Sequence, residues 1–159
     1  MNAFRTTLAA ATLGLTAIAS TAAADDKASV QTFYNLLSNP GSETHVEAFL
    51  GATSQTWESV GDYSGENESR DAFVGQMGFF SKLIPDLDWS VQAMHQDGNF
   101  VTVRSRATGT PTGPFFGVDG EGRSFDILTI DIHELDDGVI VRTYHVEDWA
   151  SALQQLRGQ

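Results

Sequence analysis

The chain has 159 residues, no cysteine, and 21 acidic residues against nine basic ones, a formal net charge of −12. Without cysteine it has no disulfides, no thiolate metal sites, no cysteine nucleophile and no lipoprotein acylation. The acidic field argues against nucleic acid and anionic membrane surfaces as partners.

The first 24 residues carry a basic start at Arg5, an uncharged apolar run from Leu8 to Ala19, and small residues ending at Ala22 and Ala24 before Asp25. This layout predicts a secretory signal peptide over 1–24, and with it a periplasmic or secreted protein. The apolar run is short for a bilayer span. Residues 25–159 then form one domain of a size that supports its own core. Taking Arg5 away leaves eight basic against 21 acidic residues, so the charge of that domain becomes −13.

From Lys27 to Ser38, Val30, Phe33, Tyr34 and Leu37 fall at i, i+3, i+4 and i+7, the stripe of an amphipathic helix that Asn39, Pro40 and Gly41 end. A second short helix is expected over Glu43 to Leu50, with Val46, Phe49 and Leu50 inward. The Gly, Ser, Thr and Asn-rich stretch 51–68 reads as loop with one short strand around Trp57. Ser69 is placed to cap a third helix from Arg70 to Leu83, which Pro85 stops.

Beyond Pro85 the pattern is that of sheet. One hairpin turns at Asp97-Gly98, and a second joins "SFDILTIDIHEL" to "VIVRTYHV" through Asp136-Asp137-Gly138. Asp148 is placed to cap a last helix, Trp149 to Leu156. Helices first and antiparallel strands afterwards predict an α+β domain with helices covering one face of a curved sheet.

If the second hairpin has a three-residue loop pairing Leu135 with Val139, Asp131 lies opposite Thr143, with His145 one diagonal step away on the same face. A carboxylate beside an imidazole orients the ring and raises its basicity, so Asp131 and His145 are the candidate acid/base pair. A two- or four-residue loop would instead put them on opposite faces. His133 shares the face nearer the turn, where exposure is expected, and His45 and His95 are expected at the surface. No histidine spacing matches a metal motif. The glycine-rich "GTPTGPFFGVDGEG" lacks the lysine and the strand-to-helix setting of a phosphate loop. It reads as a crossover that brings Phe115 and Phe116 toward an apolar cavity.

"GTPTGPFFGVDGEGRSF", "DDGVI" and "DWASALQQL" resemble the GT-x-x-G-x-F-x-G, DG-x-I and D-x-x-x-x-x-x-QL pattern of SnoaL-like polyketide cyclases, also called ester cyclases. "SRDAFVGQMGFFSKLIPDLDW" is similar to that family's central helix and Pro-Asp-Leu turn, so the likeness spans most of residues 28 to 157. The resemblance implies the cone-shaped α+β fold of the nuclear-transport-factor-2-like and ketosteroid-isomerase-like proteins, a bent sheet wrapped around the N-terminal helices and an apolar pocket. It implies cofactor-independent aldol cyclisation or isomerisation of a small apolar carbonyl compound, no metal, and a homodimer. Tyr34 and Trp57, with Phe115 and Phe116, are then expected to bind substrate. The family's catalytic Asp position falls on His145 and its His position on Asp131, so the two residue types are exchanged. A non-catalytic periplasmic ligand-binding or scaffold domain of the same fold is the competing expectation. A paired, buried His145 opening on a cavity would favour the enzyme, and a cavity plugged by Phe and Trp side chains the binding domain.

Overall fold

The computed structural model describes residues 15–63 and 65–159, with side chains from Asp26 onward. The first 14 residues of the expected signal peptide lie outside the described residues, and its remainder continues the first helix backward. The elements are α1 (Leu15–Ser38), α2 (Glu43–Ala52), β1 (Thr53–Val60), β2 (Glu68–Ser69), α3 (Arg70–Leu83), β3 (Asp88–Asp97), β4 (Phe100–Gly109), β5 (Phe125–Asp136), β6 (Val139–Glu147) and α4 (Trp149–Arg157). Among the described residues no helix is long and apolar enough to cross a membrane.

Local chemistry sets the helix ends. Ser42 caps α2, Ser69 accepts from the Ala72 amide at the start of α3, and Asp148 accepts from the Ser151 amide at the start of α4. The α1 stripe buries Val30, Phe33, Tyr34 and Leu37, and Phe49 of α2 is fully buried beside them. These rings and aliphatics meet the inward face of the sheet, where strict alternation along β5 buries Phe125, Ile127, Thr129, Asp131, His133 and Leu135. The expected α+β fold, helices against one face of a sheet, is what forms.

One feature of the sheet departs from expectation. Its order is β2-β1-β6-β5-β4-β3, with β1 parallel to β6, so the sheet is mixed rather than wholly antiparallel. It is open, with β2 and β3 at its edges. The short strand expected around Trp57 forms and takes up eight residues of the stretch otherwise expected as loop, because pairing with β6 supplies order that its polar sequence does not advertise.

The β5–β6 hairpin corrects the expected register. Asp136 pairs with Val139 across a two-residue loop, in which Asp137 (φ 48°) and Gly138 (φ 81°) are both left-handed, as a type I′ turn requires. That loop alone would put Asp131 and His145 on opposite faces. A bulge at Val141 adds one residue to β6 between the Leu135–Ile140 and Glu134–Arg142 pairs. Parity is thereby restored, and Asp131 stands directly opposite His145 rather than diagonal to it.

Candidate active site

An apolar cavity of about 100 Å³ opens between the helices and the sheet. Phe33, Leu37, Phe73 and Met77 wall it from the helices, Trp89 and Trp149 from the far side, and the exposed Gln76 and Phe116 lie at its rim. Ser59, Glu68, His145 and Glu147 supply its polar end, and no lining residue is Lys or Arg. The volume is well below the roughly 300–1,000 Å³ of pockets that enclose drug-sized ligands.

His145, on β6, is held through Nδ1 by the Glu147 carboxylate at 2.8 and 2.9 Å. Residues two apart on a strand share a face, so this partner was legible in "HVE" although it was not among the expected site residues. Burial by itself lowers the imidazole's proton affinity. The hydrogen bond and charge of Glu147, together with the charges of Asp131 and Glu68, outweigh it, so the His145 pKa is raised. Nε2 is the nitrogen left for a ligand. It also lies against the chain at Gly61, where an added Cβ would stand 2.9 Å from it.

Asp131 faces His145 across the sheet, but the two side chains do not hydrogen-bond each other. The Asp131 carboxylate instead takes the Tyr34 hydroxyl, Oδ2 to Oη 2.8 Å. Asp131 is 2% exposed, and its pKa rises to about 7, chiefly because burial penalises its charge, with Tyr34 and His145 pulling down and Glu147 pushing up. Tyr34 also contacts His133 Nε2 at 2.9 Å. His133 Nδ1 meets Thr143 Oγ1 at 3.0 Å, and the Trp57 indole N–H donates to that oxygen at 3.1 Å.

His133, expected in solvent, is therefore fully buried, and burial lowers its pKa to about 3, so it is neutral. The turn lies two residues past Leu135, but α1 covers the strand up to that point, which proximity to a turn in sequence does not reveal. Of the four residues expected to bind substrate, Phe116 alone lines the cavity. Phe115 is buried in the core, stacked on Phe125 and packed against Trp149. Tyr34 and Trp57 are buried behind the cavity wall in the polar chain just described. His95 is exposed, and half-buried His45 bonds Ser42 Oγ. Among the described residues no group of three or more His, Asp or Glu is arranged to hold a metal ion.

The architecture has close counterparts among solved structures. TsrD from Streptomyces laurentii superposes with a TM-score of 0.72 at 16% identity, over 86% of this chain and 97% of that one. IdmH from Streptomyces antibioticus gives 0.70 at 24% identity, over 83% and 98%. A protein of ketosteroid-isomerase-like fold from Catenulispora acidiphila, solved in complex with trimethylamine, gives 0.65 at 14% identity, over 81% and 92%. No curated protein matches the sequence. The model of the SnoaL-like polyketide cyclase family matches residues 28–156, and the chain belongs to that family.

Proposed function

We propose that the protein is a cofactor-independent acid/base enzyme in which His145 moves a proton on a small, neutral carbonyl compound, in a cyclisation or isomerisation. The observation that carries this reading is a half-buried imidazole, oriented by a carboxylate at 2.8 Å, lining an apolar cavity in a fold of cyclases. His145 takes a proton from the carbon beside the carbonyl, and the C–H electron pair passes to the carbonyl oxygen as an enolate. The imidazolium then returns the proton to the product. Glu147 holds the ring and stabilises the imidazolium, and Asp131 acts behind it as a second negative charge. The carboxylates of Glu68 and Glu147, with no cation in the lining, favour neutral over anionic substrates.

The test is a screen of small ketones and esters followed by pH profiles of the wild type and Glu147→Gln. A general base works unprotonated, so activity rises through the His145 pKa. Glu147 raises that pKa, so its loss should move the rising limb to lower pH, and should lower the maximum by roughly tenfold or more as the ring loses its orientation. An unmoved limb would remove Glu147 from this role.

Two wider features belong to the same reading. Leu128, Ile130, Ile132 and Val146 form an exposed apolar stripe on the outer face of the sheet, which supports a homodimer through that face. Sedimentation showing a monomer at high micromolar concentration would overturn it. The leader-like segment 1–24 supports export, for which mass spectrometry of protein from its host should find Asp25 as the first residue.

A further inference from the structure

The buried groups behind the cavity form one unbroken line from Trp57 through Thr143, His133 and Tyr34 to Asp131, each link between 2.8 and 3.1 Å. All five residues are at most 2% exposed, and the Phe33 ring stands edge-on to His133 at 5.0 Å, so water has no place in the line. With Asp131 ionised the directions of the bonds have a single solution. A carboxylate only accepts, so the Tyr34 hydroxyl spends its one proton on Asp131. The Tyr34 oxygen must then accept from His133, which requires the proton of that ring on Nε2. A neutral ring leaves Nδ1 bare, so Nδ1 accepts from the Thr143 hydroxyl. The Thr143 oxygen takes the indole N–H of Trp57, a group that can only donate.

We propose that His133, as the neutral Nε2–H tautomer, is a positioning residue that donates to Tyr34, strengthens the hydrogen bond of Tyr34 to Asp131, and so keeps Asp131 charged opposite His145. Donation into a hydroxyl oxygen makes its own proton a stronger donor, so the line reinforces its last link. The charge on Asp131 then adds to those of Glu147 and Glu68 in holding a proton on His145. The catalytic consequence rests on the reading of His145 given above, but the geometry and its test do not.

The test is proton–nitrogen correlation spectroscopy of the histidine rings in the unliganded protein, for the wild type, His133→Leu, His133→Gln and Tyr34→Phe. In the wild type, His133 should be protonated at Nε2 alone where Asp131 is ionised, near pH 8, and should not titrate down to pH 5. His133→Leu and Tyr34→Phe should lower the His145 titration midpoint by about half a pH unit, because Asp131 takes up a proton more readily. His133→Gln keeps an amide N–H near the position of Nε2 and should hold the midpoint near the wild-type value. A purely structural role would lower stability in both His133 variants and leave the midpoint alone. An Nδ1–H tautomer at pH 8, a titrating His133, or an unmoved His145 midpoint in folded Tyr34→Phe would each overturn the proposal. Failure to find a substrate would touch the function proposed above and leave these spectra unaffected.

Discussion

His145→Ala is expected to lower kcat/KM by about 10²-fold or more on any substrate the enzyme turns over, the scale of a lost general base. Stability should hardly change. The imidazole is half-buried at the polar end of the cavity, and its partner Glu147 keeps some solvent of its own, so truncation leaves no sealed, unpaired charge. The decisive comparison sets kinetics beside thermal unfolding on the same preparation. Wild-type turnover in His145→Ala would move the assignment to the non-catalytic binding domain. A loss of both activity and fold would leave the role to be read from Glu147→Gln, whose amide preserves the shape of the site.

Trp57→Ala should have the largest effect on the fold itself, roughly 3–5 kcal/mol of stability. The indole is 1% exposed and packs at centroid distances of 5.2 to 6.3 Å against Phe33, Phe49 and Phe73, joining α1, α2 and α3 to β1. Its removal opens a cavity in that cluster and also takes away the N–H that Thr143 accepts. Against a total of about 5–15 kcal/mol for a typical domain, the variant would be marginal at 37 °C. Trp57→Phe keeps most of the ring and should cost about 1–2 kcal/mol, much of it from the lost N–H donor. Urea unfolding separates these outcomes, and a Trp57→Ala midpoint matching the wild type would show that the cluster is not the keystone of the core.

The helices were legible because their signals are local. The stripe of Val30, Phe33, Tyr34 and Leu37, the Ser69 cap with Pro85 beyond it, and the Asp148 cap each lie within a few residues of what they specify. The family pattern likewise rests on short, contiguous motifs. What escaped was decided by distant contacts. A short strand is expected around Trp57, but its extent over Thr53–Val60 is set only beside β6. Tyr34 was legible as a core residue, but the use of its hydroxyl depends on Asp131, 97 positions away. His133 is expected in solvent because it lies near the turn, and α1 buries it. The chance of pairing Asp131 with His145 was visible in the hairpin, though the expected loop length was wrong, and an apolar Val141 gives no sign that it bulges.

That bulge makes the alignment of the site with the sheet a matter of counting. Each residue added to the regular ladder of β6 between the turn and His145 turns the rest of the strand to the other face, and the bulge is what takes Val141 out of that count. Were Val141 drawn into the regular ladder, Tyr144 would stand opposite Asp131 and face the interior while His145 and Glu147 turned outward, a change of active-site chemistry without a single substitution, whereas excising Val141 would leave Asp131 opposite His145. The hairpin tip and the bulge are thus two settings of one combination. With the same residues, a three-residue loop and a straight β6 would also turn His145 and Glu147 inward, whereas a two-residue loop and a straight β6 would turn them outward.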